Sequence, residues 1–389
     1  MKLIRTMMLG GALLALGAFG AQAQETLKIG AIGSLSGGGT AWGLAIQRGT
    51  ELAIDEANAA GGVKVGDKSY KIELIMYDDQ YNAQGGKTAA ERLVHQDKVK
   101  FIIGPIGSGP VLSTVSVTTP AEVLVLSNGY APGILRNEAK APYNFRMTNT
   151  NDEYSEAFVK WVKEGLPNAK KIGFIVPNDA IGQQVAPGLK KIYEGAGFEV
   201  FYEMYERGSK EFIPLLTRMI AARVDTFDVN FNAPGEAGLL VRQARQAGFR
   251  GPIIQAGGPS VPEIFEVAGA LAKGFLSYEM FDFSSETGQK LTKAYEAKYG
   301  KGIINSQLPA FYNATRILFE ALKRAGTTTD VKKVRDQVEA LEGWDTGIYG
   351  PVRWTGTEKY GVKHQLLLPF YIVELQEDGT TKTRARVIP

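Results

Sequence analysis

The chain reads as an α/β protein of two similar lobes, each built on a largely parallel sheet. Three observations predict this. Short apolar stretches rich in Val and Ile alternate with helix-period segments almost throughout. The alternation falls into two successive blocks of similar size, separated by a segment rich in turn residues. A long, less regular tail follows both blocks, as in a chain that packs back on lobes already complete.

In the first block, Leu27–Ile32 is expected as a strand with Leu27 and Ile29 on one face. A Ser/Gly-rich turn leads to a helix over Leu44–Ala60, with Ile46, Leu52, Ile54 and Ala57 as apolar positions and Gly61-Gly62 as its stop. Lys71–Tyr77, Val99–Ile103 and Glu122–Leu126 are expected strands; Gly85–Gln96 and Pro110–Thr118 are the helices between them. Such β-α repetition gives a parallel sheet covered on both faces. Residues 139–152, with Pro142 and a cluster of Asn and Thr, are expected to cross between lobes. The second block repeats the scheme, with strands at Lys171–Val176, Phe198–Tyr202, Thr226–Phe231 and Pro252–Gln255. Its helices are Gln183–Ala196, Phe212–Arg223, Gly235–Ala247 and Val261–Leu271. In the tail, Gln289–Tyr299, Gln307–Ala325 and Val331–Glu342 read as helices, and Pro351–Trp354 and Leu366–Leu375 as strands.

The N-terminus sets the compartment. Lys2 and Arg5 precede an uncharged apolar run, Met7–Gly20, and Ala21-Gln22-Ala23 offers small residues at both positions a signal peptidase reads. The run is short against the roughly 20 residues that span a bilayer. A secretory signal peptide over residues 1–23, cleaved after Ala23, and a periplasmic destination are therefore expected, with no membrane span in the mature form. The formal charge of +3 falls to about +1 without Lys2 and Arg5, too little for a nucleic-acid footprint. There are no cysteines, so disulfides, a thiol nucleophile and thiolate metal ligands are excluded.

A search for catalytic chemistry returns little. His95 and His364 are the only histidines. Glu91 and His95 are spaced to share a helix face, but two ligands without a third make no metal site. No G-x-S-x-G elbow accompanies either histidine. Gly86-Lys87-Thr88 resembles a phosphate loop, but Tyr81 stands where the first glycine must be. Asp78-Asp79 follows a strand, where carboxylates commonly bond the N–H groups of the next turn. No enzyme activity, cofactor or metal is expected.

What remains are polar and aromatic residues just past strand C-termini, where open α/β sheets bind ligands. Ser34, Ser36 and Trp42 follow the first strand, residues 107–110 the third, and Ser127-Asn128-Gly129-Tyr130 the fourth. Asn178-Asp179, Asn232 and Gly257-Gly258 hold the matching places in the second lobe. Ser108 precedes a helix opened by Pro110, so its hydroxyl and the free N–H groups there suit an anion as well as an ordinary helix cap. Trp42 and Tyr130 suit either rim packing or an aromatic-walled cleft.

These residues carry a resemblance. Ile29-Gly-Ala-Ile-Gly-Ser-Leu-Ser-Gly37, Ala53-Ile-Asp-Glu-Ala-Asn58, Tyr77-Asp-Asp79, Ile103-Gly-Pro-Ile-Gly-Ser108 and Arg242-Gln-Ala-Arg245 are similar to the type I periplasmic binding proteins of the leucine/isoleucine/valine-binding kind. The resemblance spans nearly all of the mature chain. It implies two Rossmann-like lobes joined by a three-crossover hinge: residues 24–145 with 277–355, and 146–276 with 356–389. It also implies an interlobe cleft that closes on a small solute, and the permease and ATPase subunits of an ABC importer as partners. The family's carboxylate site falls on Ser108, Asn128, Gly129 and Tyr130, and its first-loop aromatic on Trp42.

The departures bear on the ligand. The acidic residue that holds a ligand ammonium in the family is replaced by Gly257 or Gly258, and its second-lobe tyrosines by Ile181 and by Ala233 or a neighbour. Tyr130 stands for a small hydroxyl residue. A buried ammonium without acceptors is costly. The expected ligand is thus a carboxylate lacking the α-amino group, an aromatic or hydroxylated acid for instance, with Trp42, Tyr130 and Phe281 along its apolar body. Asp179, Asn232 and Gly258 complete the expected second-lobe contacts. A branched-chain or other amino-acid binder and a ligand-sensing receptor of the same fold are the alternatives.

Overall fold

The computed structural model describes residues 24–135, 142–257, 261–302 and 304–387 of the 389. The expected signal peptide and Gly258 lie outside the described residues. Two sheets form the scaffold. The first runs Trp354–Thr355, Gln365–Leu366, Asn144–Arg146, Leu124–Asn128, Phe101–Ile106, Glu25–Gly33, Lys68–Asp78, Val63–Val65 across its width. Its six central strands are parallel, and a short antiparallel strand closes each edge. The second runs Thr381–Val387, Phe370–Leu375, Leu276–Glu279, Ile253–Gln255, Thr226–Asp228, Lys171–Pro177, Glu199–Tyr205; Phe370–Leu375 is antiparallel to both its neighbours, and all the other strands share one direction.

The apolar runs explain the layering. Every residue of Phe101–Ile106 is buried, as in a strand covered on both faces. Phe101 and Ile103 join Leu124 and Leu126 against Ile46, Ile54, Phe311 and Ile317 of the helices Thr40–Ala59 and Gln307–Ala325. Ile102, Ile32 and Val125 point the other way, to Ala89, Ala90 and Leu93. The alternation of side chains across the strand thus fills two cores from one segment. Gln307–Ala325 comes from the tail, yet it packs along Thr40–Ala59 beside the first sheet.

The α/β, two-sheet expectation is met, with local differences. The segment 139–152 is not simply a crossover. Within it Asn144–Arg146 is an inner strand of the first sheet, and Asn151–Gly165 is a helix absent from the sequence reading. Its turn-like composition is capping chemistry: Thr150 accepts from Asp152 N, and the Glu153 carboxylate accepts from Thr150 N at 2.7 Å. The expected helix Gln183–Ala196 is two, Ala180–Gln184 and Ala186–Gly195, broken at Val185. The expected strand Leu366–Leu375 divides, because Gln365–Leu366 pairs with Arg146 in the first sheet while Phe370–Leu375 pairs in the second. Likewise Leu276–Glu279 belongs to the second sheet. The chain therefore changes sheet after 146, after 279 and after 366, the last two later than the breaks at 277 and 356.

Two of these crossings are bonded side by side. Asn149 donates its amide to Leu368 O at 2.6 Å and accepts from Leu368 N at 2.9 Å, and Gln365 donates to Thr148 O at 2.7 Å. The helix Asn151–Gly165 starts directly beyond this seam. Thr150→Ala removes the cap of that helix and is expected to lower unfolding stability by about 1 kcal/mol, measured as a urea midpoint shift at constant slope. No shift would show that the seam, rather than the cap, holds the helix start.

Candidate functional site

Between the carboxyl ends of the two sheets lies a narrow cleft, whose empty space is about 330 Å³ when its opening to solvent is counted. Its walls are Trp42, Tyr81, Ile106, Gly107, Ser108, Asn128, Gly129 and Tyr130 from the first lobe, Ile181 and Phe231 from the second, and Gln307 from the tail. Aromatic and aliphatic faces dominate, and none of these residues is charged.

The loops after Phe101–Ile106 and Leu124–Asn128 are tied together at Ser108. Its Oγ accepts from Tyr130 N at 3.2 Å and Ala131 N at 2.9 Å. Both acceptor positions are then occupied, leaving the hydroxyl proton to donate. Ser108 also starts the helix Ser108–Thr118, whose first N–H groups have no partner within the helix. Gly107 precedes it with φ of 99°, and a Cβ there would lie 2.8 Å from the Tyr81 ring. Only glycine suits both the backbone and that contact.

Tyr81 is placed by the two carboxylates before it. Asp79 Oδ1 accepts from Ser34 Oγ at 2.6 Å and Tyr81 N at 2.8 Å. Asp78 accepts from Leu35 N, Gln80 N and Ser36 Oγ. The pair thus shapes a turn, as its position after a strand suggested. Burial pushes the Asp79 carboxyl up to about 6, against hydrogen bonds that favour its charged form. Tyr81 has φ of 56° and Phe231 of 69°. Bulky residues rarely hold left-handed backbone, and here both sit in the cleft wall.

The lobes meet over Tyr81. Its ring packs edge-on to Trp42 at 5.5 Å, and the Arg207 guanidinium of the second lobe lies 4.9 Å from its centre. Arg207 is held by Asp179 Oδ2 at 2.6 Å and Glu236 Oε2 at 2.8 Å. Glu236 further accepts from Tyr205 Oη at 2.8 Å and Gly208 N at 2.6 Å.

Of the residues singled out in the sequence, Trp42, Ser108, Asn128, Gly129 and Tyr130 come together along this cleft. Three others do not. Asp179 caps the helix Ala180–Gln184 and pairs with Arg207. Asn232 is fully buried beneath its loop; its amide donates to Ile175 O, Val229 O and Asn230 O, and its Oδ1 accepts the Tyr205 hydroxyl. Phe281 packs against Phe283 and Tyr349 and lines a separate cavity with Glu279 and Asn305. Tyr81, Phe231 and Gln307 were missed. Phe231 adjoins Asn232, and the strand-end rule pointed one residue too far. Gln307, which accepts from Asn128 Nδ2 at 3.1 Å, arrives from the tail with no local signal. His364 is buried, with Nε2 2.8 Å from Glu339 and Nδ1 3.0 Å from Asn144 O. Among the described residues no three His, Cys, Asp or Glu side chains are grouped to hold a metal ion.

Comparison with known proteins agrees with this architecture. Residues 26–380 match the family model described as periplasmic binding protein. Leu/Ile/Val-binding protein homolog 3 of Brucella melitensis is 27% identical over 93% of this chain and 94% of its own. The substrate-binding protein LivJ of a branched-chain amino acid transporter from Streptococcus pneumoniae, solved with isoleucine, superposes with a TM-score of 0.79 at 25% identity, covering 94% of this chain and 99% of its own. A solute-binding protein of an ABC transporter from R. palustris, solved with benzoate, also gives 0.79, at 22% identity and 94% and 97% coverage.

The buried Asp79 predicts a pH dependence. Its folded-state carboxyl titrates at about 6 against an ordinary value of 3.8. Between those values the folded state keeps a proton that the unfolded state loses, so stability falls as pH rises through the window and stays lowered above it. Asp79→Asn keeps an acceptor for Ser34 and Tyr81. Relative to the wild type it should gain on the order of 2 kcal/mol between about pH 4 and about pH 8, read from urea midpoints at both. A difference that does not change with pH contradicts this.

Proposed function

The chain belongs to the periplasmic binding protein family, and from that membership we propose that it captures a small carboxylate-bearing solute in the interlobe cleft and passes it, chemically unaltered, to the permease and ATPase subunits of an ABC importer. Export by a signal peptide over residues 1–23, cleaved after Ala23, to the periplasm is part of this reading.

The observation that carries the ligand assignment is the absence of any acidic residue among the described residues that line the cleft. A ligand ammonium would enter without a counter-charge, at a cost of several kcal/mol. At Gly257 a Cβ would meet the Tyr154 hydroxyl at 2.3 Å and Asn230 Oδ1 at 2.7 Å, so no acidic side chain fits there. Asp179 and Glu236, the nearby carboxylates, are already engaged by Arg207 and by backbone N–H groups. A carboxylate, by contrast, meets the Ser108 hydroxyl and the open first turn of its helix. Trp42, Tyr81, Tyr130, Ile106, Ile181 and Phe231 suit an apolar, aromatic body, and Asn128 and Gln307 offer polar contacts for a hydroxylated one. Related proteins named for leucine, isoleucine and valine, and a fold neighbour that holds benzoate, support both an amino-acid and an aromatic-acid reading. The uncharged lining favours the second.

Thermal shift with a panel of small acids tests this. Benzoate or 4-hydroxybenzoate at about 100 times its Kd should stabilise the protein by about 2.7 kcal/mol, and leucine and valine should not. Stabilisation by leucine or valine and by no simple acid overturns the assignment.

A further inference from the structure

We propose that Arg146, which lies outside the cleft wall, is a positioning residue that transmits positive charge through two peptide groups to the Ser108 hydroxyl and so biases the cleft toward anionic ligands. The inference rests on the carboxylate reading above and deepens it.

Arg146 ends the inner strand Asn144–Arg146 and is fully buried. Among the described residues its guanidinium forms no ion pair, and its Nε and Nη2 have no hydrogen-bond partner. It lies 4.3 Å from the centre of the Tyr360 ring. At the far end of that ring Asp152 and Glu153 accept from the Tyr360 hydroxyl at 2.6 and 3.1 Å. Burying a cation without a counter-charge is expensive, and a methionine or leucine would fill a strand position at no such cost. The charge is therefore retained for something other than packing.

Its remaining contacts show what. Nη1 is shared between Gly129 O at 3.3 Å and Tyr130 O at 3.4 Å. The far ends of the same two peptide groups are Tyr130 N–H and Ala131 N–H, and both donate to Ser108 Oγ. Two peptide dipoles thus stand side by side between guanidinium and hydroxyl, carbonyls toward the cation and N–H groups toward the serine. A buried charge at the carbonyl end polarises such a chain, and each bond strengthens the next. The bonds to Nη1 are long, so the attraction is chiefly of charge for dipole, which falls off slowly where solvent is excluded. Ser108 Oγ, drawn on by two N–H groups, becomes a stronger donor through its remaining proton. The cleft gains an anion preference while no charged side chain enters it, and a neutral solute of the same shape gains nothing from the arrangement.

The test compares acids with isosteric amides: benzoate with benzamide, and 4-hydroxybenzoate with 4-hydroxybenzamide, by calorimetry on the purified mature protein. Arg146→Gln keeps a donor for the carbonyls and removes the charge; Arg146→Lys keeps the charge. The Gln variant should lose about tenfold in the acid-to-amide affinity ratio with the amide affinity unchanged, and the Lys variant should stay within about threefold of the wild type. Equal losses for acid and amide, or an unchanged ratio in the Gln variant, overturn the inference and mark Arg146 as merely structural. If the Gln variant does not fold, a tenfold loss of ratio in the Lys variant overturns it and a retained ratio supports it. A wild type that binds the amides as well as the acids, or neither, refutes the carboxylate reading and this inference with it, and is told apart because it appears before any substitution is made.

Discussion

A single side-chain oxygen joins the two loops that shape the first lobe's half of the cleft. Ser108 Oγ gathers the N–H groups of Tyr130 and Ala131, so the turn after one inner strand is fixed to the turn after its neighbour. Parallel pairing makes this possible, because Phe101–Ile106 and Leu124–Asn128 finish at the same edge of the sheet. From that junction follow the seat of Tyr130 in the wall, the close approach of Tyr81 over Gly107, and the direction left to the serine proton. The same edge brings in Asn128, which reaches Gln307 of the returning tail.

The mouth of the cleft follows a related economy. Arg207 meets Tyr81 of the other lobe only through the ring face, while its two ion pairs, to Asp179 and Glu236, stay within its own lobe. Separation of the lobes would give up an aromatic contact without stranding a charge in a low-dielectric setting.

Much of this was legible in the residues and some was not, for physical reasons. The sheets could be read because their inner strands are buried on both faces and announce themselves as unbroken runs such as Phe101-Ile102-Ile103. The helix Asn151–Gly165 was hidden because Thr150 and Glu153 build its cap from residues that elsewhere make turns. Strands of two to four residues, such as Gln365–Leu366 and Leu276–Glu279, are defined by their neighbours and have no period of their own. In the site, the strand-end rule located the first-lobe loops, where the backbone leaves the sheet regularly. It failed at Asn232 and Asp179, whose polar groups are taken up by backbone groups nearby and by Tyr205 and Arg207, and at Tyr81 and Phe231, which hold left-handed backbone and line the wall themselves. Arg146 could not have been found from sequence, since a charged residue in a strand says nothing of which carbonyls it will meet.

The bonds of Asn149 have a mechanical meaning. Its amide matches both the N–H and the C=O of Leu368, as a neighbouring strand would, so two of the three chain segments linking the halves act as one laminated strap. Two independent tethers would permit twisting and sliding; a bonded pair resists both, and the same asparagine also donates to the Tyr278 hydroxyl, at the end of the strand that leads into the third connection. Any parting of the halves would have to bend or break this seam, which is fixed by an asparagine outside the cleft wall.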